Sequence, residues 1–258
     1  MEKIALTGAS GVIGRSLQAD LARDHDVVGI DLRDADVIAD VRDESALERA
    51  FAGCTTVVHL AGVSNVEATW QEVFEVNVGG TYNAFEAARR AGARRVIFAS
   101  SNHAVGMYEV KGGAPLYEPS AGVNVRAEDP LRPDSLYGVG KAFGEALGRY
   151  YSEAFGLQVT CVRIGSIVAG DSPADPALGV PSFLPHLSLE EARKRYAATW
   201  MSKRDFARLV RAIVARDVPF AIVYGVGDNL TRFWDLEPGR ALFGFWPLDG
   251  TRERGSPV

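Results

Sequence analysis

Two short stretches carry the residues that could do chemistry. "FASSNHAVGMY", Phe98 to Tyr108, sets two serines, an asparagine and a histidine directly behind an apolar run. One chemistry for such a set is a serine nucleophile with His103 as its base. The other is hydrogen bonding to a substrate, with no proton moved. Ser101 and His103 stand two apart at the end of a strand-like run, so their side chains need not face each other, and the chain lacks a G-x-S-x-G elbow. "YGVGK" places Tyr137 and Lys141 four apart at a helix start, on one helix face. A free tyrosine, with a pKa near ~10, is a poor base at neutral pH. Lowering that value by roughly three units needs about 4 kcal/mol of differential stabilisation, which two close cations can supply. Lys141 would be one of them.

These stretches need elements to hold them. "KIALTG", "DVVGID", "TTVVHLAG", "RRVIFASS", "LQVTCVRIG" and "FAIVYG" read as strands. Between them, "GVIGRSLQADLARD", "ESALERAFAG", "TWQEVFEVNVGGTYNAFEAARRAG", "YGVGKAFGEALGRYYSEAF" and "SKRDFARLVRAIVAR" read as helices. Short strands alternating with helices predict an α/β fold, a Rossmann-type doubly wound parallel sheet. Residues 109–135 read as a long loop, and 167–195 as a second one with a short helix near its end. Both follow a strand's carboxyl end, where open α/β sheets bind ligands. The chain divides into a core over 1–165 and a small substrate-binding part over 166–258, whose late strand and helices return to the core. After "FAIVYG" a tail is expected.

"LTGASGVIG" sets Gly8, Gly11 and Gly14 between the first strand and the first helix, with Val12 and Ile13 in the helix start. Backbone must approach a pyrophosphate closely there, and the helix start offers unpaired N–H groups and the positive dipole end. Asp31 ends the second strand, with Leu32 next, and a carboxylate there accepts from ribose hydroxyls and repels a 2′-phosphate. That favours NAD over NADP, although Arg33 nearby could accommodate the phosphate. Asp40 and Val41 fall where the adenine edge would lie. Leu60, Ala61 and Gly62, after His59, lie beside the cofactor path. Oxidised nicotinamide is then the second cation that would favour a Tyr137 phenolate.

The glycine pattern, "NVGGT" (Asn77 to Thr81), "FASS" and "YGVGK" together resemble the extended short-chain dehydrogenase/reductase superfamily, the NAD-dependent epimerases and dehydratases, over nearly the whole chain. The resemblance implies that Tyr137 is the acid/base. It implies that Lys141 binds the nicotinamide ribose and tunes Tyr137, and that Asn77, counted with them among the catalytic and cofactor-binding residues, supports the local hydrogen-bond network. Ser101 would hydrogen-bond the reacting hydroxyl, with Ser100 the other candidate for that role. About 90 residues follow "RIGS", fewer than a nucleotide-sugar lobe needs. "FASSNH", "LYGVGK", "VRIGS" and "ATWMS" resemble the uronate dehydrogenases and the archaeal-type NAD-dependent glucose-6-phosphate dehydrogenases. Both oxidise C1 of a cyclic sugar to a lactone.

Arg195, shortly before "TW", matches the arginine both groups carry, and a guanidinium fork suits carboxylate and phosphate alike. Ser64 and Ser166 agree with the uronate enzymes. "NHAVGMYE", "IVYGVGDN" and the 109–135 loop agree with the sugar-phosphate group, and Arg193 and Lys194 would suit a dianion. The activity implied is oxidation of glucuronate or galacturonate to an aldarolactone, with glucose 6-phosphate or another aldose as the alternative. Ser64, Asn102, His103 and Ser166 would hold the sugar and Arg195 its anion. A sugar epimerase and a non-catalytic NAD-binding regulator are the remaining readings.

Composition bounds the rest. The 258 residues are 47% hydrophobic with a net charge of -5, suited neither to coating nucleic acid nor to an anionic membrane. Cys54 and Cys161 sit in strand contexts and are expected as free thiols. His25, His59, His103 and His186 show no metal-ligand spacing, so no metal is expected. No apolar run approaches the roughly 18 residues of a membrane span, and "MEKIALTG" enters structure at once, so a cytoplasmic protein is expected. A homo-oligomer is expected through helix faces such as "YGVGKAFGEALGRYY".

Overall fold

The computed structural model describes residues 1–121 and 124–251. Residues 122 and 123 of the predicted 109–135 loop, and 252–258 of the predicted C-terminal part, lie outside the described residues.

Seven parallel strands form one sheet in the order β3-β2-β1-β4-β5-β6-β7. They are β1 (Lys3–Thr7), β2 (Asp26–Asp31), β3 (Val37–Ile38), β4 (Thr56–His59), β5 (Arg95–Ser101), β6 (Gln158–Ile164) and β7 (Phe220–Gly225). The order reverses direction at β1, so the carboxyl ends of β1 and β4 open a crevice. This is the doubly wound sheet the sequence predicts.

The strand pleat sends alternate residues to opposite faces, and two cores result. Ile4, Leu6, Val58 and Ile97 pack against α1 (Val12–Leu21) and α8 (Lys203–Val214). Ala5, Val57, Val96 and Phe98 pack against α2 (Glu44–Ala50), α4 (Gly80–Arg90) and α6 (Leu136–Phe155). Cys54 and Cys161 are free and buried in this second core. The predicted long helix over "TWQEVFEVNVGGTYNAFEAARRAG" runs from α3 (Trp70–Glu72) through a π-helical stretch (Val73–Gly79) into α4.

The chain beyond 165 supplies β7 and α8 to the main sheet. It also helps build a third cluster, in which Leu184, Leu187, Phe233 and Trp234 meet Val105, Leu116 and Tyr117.

Three expectations need correction. The start of the 109–135 stretch is helical, with α5 over Met107–Gly112 and a 3-10 turn over Ala114–Tyr117. Gly113, at φ 62°, separates the two, and its Pro and Gly content conceals them. The tail contains α9 (Glu237–Phe243), begun by Pro238 and closed by Gly244 in the left-handed region. Strand β3, two residues long, is too short to show a period. The short helix expected near residue 195 is α7 (Leu189–Thr199), opened by a Ser188–Glu191 capping box. Among the described residues no helix is long and apolar enough to cross a membrane.

Candidate active site

One cavity of about 1200 Å³ runs from the glycine turn to Arg195. It lies over the carboxyl ends of the strands, at the point where strand order reverses. At one end the Gly8 backbone has φ 74°, and a Cβ there would stand 2.8 Å from the Ala61 nitrogen. At Gly14 a Cβ would meet the Gly8 carbonyl at 2.1 Å, so only glycine lets α1 start this close to β1. Helix α1 has no side-chain cap and no acidic residue in its first turn, so its N–H groups remain open to an anion.

Asp31 is held in place by Ser10, whose backbone N–H and hydroxyl donate to it at 2.9 and 2.6 Å. Burial works against its charge, but those bonds, one from the Leu32 N–H and the nearby Arg33 outweigh burial and lower its pKa. Gly11, Val12, Ile13, Leu32, Asp40, Val41, Leu60, Ala61 and Gly62, all predicted for the cofactor, line this end. The donor set fits a dinucleotide: open helix N–H groups for a pyrophosphate and a fixed carboxylate for a ribose diol.

At the other end, Ser135 caps α6 by accepting from the Gly138 N–H, which sets Tyr137 in the first turn. A Cβ at Gly138 would stand 2.3 Å from the His103 carbonyl, so a side chain there would push α6 away from the residues after β5. Tyr137 and Lys141 are both buried and both line the cavity, with the lysine nitrogen 5.6 Å from the tyrosine ring. Lys141 donates to the Ala99 carbonyl at 2.7 Å, and burial lowers its pKa to about 8.

The expected depression of Tyr137 does not occur in the protein alone. Burial raises its pKa, Asp134 adds to the rise, and a hydrogen bond with Ser101 offsets only part of it. Lys141, itself desolvated and turned to Ala99, does not reverse the shift.

The two serines separate cleanly. Ser100 donates at 2.6 Å to Glu145, which is locked in a buried ion pair with Arg163. Ser101 stands beside Tyr137 and accepts from the His103 backbone N–H at 3.2 Å. The His103 ring bonds Asp134 through Nδ1 at 2.8 Å rather than Ser101. A carboxylate only accepts, so Nδ1 carries the hydrogen in this contact. Ser101 and His103 do not form the serine–histidine pair of a hydrolase. His59 is likewise a strand residue, bonded to Thr7 at 2.8 Å, and burial lowers its pKa to about 3.

Ser64, Asn102, His103, Ser166 and Arg195 join Ser101 and Tyr137 around the same cavity. Three expectations change here. Asn77 does not line the cavity: its Oδ1 accepts from the Val63 N–H at 2.7 Å and its Nδ2 donates to the Val63 carbonyl at 2.9 Å. With both amide groups engaged it is a positioning residue for the loop after β4, not a group at the reacting centre. Arg193 and Lys194 are exposed and outside the cavity wall, and Lys194 pairs with Glu118 at 2.7 Å. Arg195 is buried rather than solvated, but its fork already holds a partner, Glu109, at 2.8 Å.

The sequence reading missed Ser10, Glu109, Asp134, Phe183 and Tyr196. Ser10 was visible inside the glycine turn. The others lie on loops or helix faces with no period or spacing to mark them.

An open sheet with a dinucleotide cradle at its switch point and a buried Tyr–Lys pair beside it defines an NAD-dependent oxidoreductase. The sequence matches the model of the NAD dependent epimerase/dehydratase family over residues 4–216, and the chain belongs to that family. It is 40% identical to an L-arabinose 1-dehydrogenase (NAD(P)(+)) of Haloferax volcanii, across 97% of this chain and 98% of that protein. An NAD-dependent glucose-6-phosphate dehydrogenase of the same organism is 34% identical, across 100% and 98%. Among solved structures, the uronate dehydrogenase of Agrobacterium tumefaciens superposes with a TM-score of 0.79 at 32% identity, covering 97% of this chain and 86% of that one.

Proposed function

We propose that this protein oxidises C1 of a free cyclic sugar to a lactone, with NAD as the hydride acceptor. The observation that carries the reading is the placement of Ser101 and Tyr137 in one cavity wall with hydroxyl, amide and imidazole groups around them. Such a lining matches a polyhydroxylated ring. The similarity to an arabinose 1-dehydrogenase and to uronate dehydrogenases supports the same class.

Tyr137 takes the proton of the C1 hydroxyl, and Ser101 hydrogen-bonds the same oxygen. Lys141 stands beneath them, fixed by the Ala99 carbonyl, with its charge beside the phenol. Bound NAD supplies the acceptor for the C1 hydride and, in its oxidised form, a positive charge that favours the phenolate. His103 Nε2, Asn102, Ser64 and Ser166 orient the ring hydroxyls, and Asp134 fixes the His103 tautomer. Oxidation at C1 leaves a lactone, one NADH and one proton.

A panel of free aldoses, uronates and glucose 6-phosphate with NAD tests this directly. NADH formation ranked by kcat/KM should follow the identity of the sugar. Failure of every free sugar to reduce NAD removes the reading.

Asp31 is the proposed ribose reader. Replacing Asp31 with Asn removes a charged acceptor, and kcat/KM for NAD relative to NADP should fall at least about tenfold. An unchanged ratio would assign the preference elsewhere.

The chain is also proposed to self-associate through α4 and α6, which expose Tyr82, Tyr150 and Phe155. Sedimentation at the monomer mass would exclude this.

A further inference from the structure

The cations lining the cavity are unevenly placed. Arg33 and Arg42 stand at the Asp31–Asp40 end, and Lys141 lies beneath the Tyr137 phenol. Arg195 belongs to the sugar chamber. Its guanidinium lies 4.9 Å from the Phe183 ring, Phe183 meets His103 edge-on at 4.8 Å, and His103 meets Tyr137 at 5.6 Å. Among the described arginines and lysines that line the cavity, it is the one packed against Phe183 beside His103, where under the proposed reading the end of a pyranose remote from C1 would lie.

Its charge is already answered. Glu109, on α5, accepts from Arg195 Nε at 2.8 Å and from Nη2 at 3.3 Å, a two-point grip on one edge of the fork. Tyr117 donates to the same carboxylate at 2.9 Å. Burial and the Glu109 charge raise the Tyr117 pKa, so the phenol keeps the proton it donates. Glu109 is 1% exposed and Arg195 3% exposed, so the pair is shielded from water. Burial works against the Arg195 charge, and the field and hydrogen bonds of Glu109 outweigh it. The pair presents a neutral dipole to the cavity.

We propose that Glu109 sets the substrate class, against the resemblance of its stretch "NHAVGMYE" to the sugar-phosphate group: by neutralising Arg195 it selects cyclic aldoses that carry no charge at the end remote from C1. The proposal rests on the reading of the chain as a sugar C1 dehydrogenase. A uronate carboxylate or a sugar phosphate at Arg195 would sit close to the Glu109 carboxylate in a buried setting, where like charges interact strongly. Arg193 and Lys194, exposed on α7, offer no second cation for a dianion. A neutral sugar meets no such conflict.

The test is the sugar panel run on wild type and on Glu109→Gln. Gln preserves the shape and keeps an acceptor for Tyr117 or Arg195. Wild type should show higher kcat/KM for arabinose or galactose than for glucuronate, galacturonate or glucose 6-phosphate. Glu109→Gln should raise the uronate-to-aldose ratio of kcat/KM by about tenfold or more, the scale of one charge contact at an intermediate dielectric. Its effect should fall chiefly on KM. A wild type that prefers anionic sugars overturns the proposal while leaving C1 oxidation intact, and that measurement decides even where the variant does not fold. A folded variant with an unchanged ratio also overturns it. An enzyme that reduces NAD with none of these sugars takes both readings down together.

Discussion

Replacing Tyr137 with Phe should lower kcat by about 10³-fold, within the range that a positioned acid–base group contributes. The change deletes one hydroxyl. The ring contacts with His103 and Lys141 do not involve that oxygen and should persist, as should the Ser135 cap that starts α6. The glycine turn and Asp31 are untouched, so the Kd for NAD should stay close to that of wild type. Stopped-flow measurement of NADH formation, paired with calorimetric titration of NAD, reads the two quantities separately. A Phe variant keeping more than about a tenth of the wild-type kcat would displace Tyr137 from the role, because the loss would then fall below that of a general base. Burial raises the Tyr137 pKa in the protein alone, and under the proposed mechanism the charge of the oxidised cofactor would favour the phenolate.

The second large effect concerns stability. Glu145 and Arg163 form a two-point ion pair at 2.9 Å for each contact, with side chains 2% and 1% exposed. Tyr224 accepts from the third guanidinium nitrogen at 3.0 Å, and Ser100 donates to Glu145. Glu145→Ala strands a buried guanidinium and should destabilise the protein by about 3–5 kcal/mol. For a chain of this size that corresponds to a Tm fall of roughly 10 °C. The double variant Glu145→Met with Arg163→Met removes both charges and should recover most of the loss, since a well-packed apolar pair can replace a buried ion pair. Differential scanning calorimetry of the three proteins decides it. A single variant with wild-type Tm would mean that water reaches Arg163. The network also ties down Ser100, so it holds the end of β5 from which Ser101 projects.

Much of this was readable before any coordinates. Strand and helix periods follow from which faces must be buried, and those periods repeat over four residues or more. The glycine turn was legible because Gly8 must adopt a positive φ and Gly14 must admit a close backbone, and both requirements act within one turn. Tyr137 and Lys141 share a face because four residues make one helical turn. Strand β3, the helical start of 109–135 and α9 were not legible, being too short or too rich in Gly and Pro to show a period. Asn77 was placed one layer too far forward, because sequence does not say which amide groups a neighbouring loop will consume.

The sequence by itself therefore determined the doubly wound sheet, the dinucleotide cradle and the tyrosine–lysine pair, all products of local spacing. Tertiary structure decided what Arg195 is. Glu109 lies 86 positions earlier on a helix the pattern conceals, and only folding brings the carboxylate within 2.8 Å of the guanidinium. A charge seen in sequence is a count. Its effect on a substrate depends on which opposite charge is buried beside it.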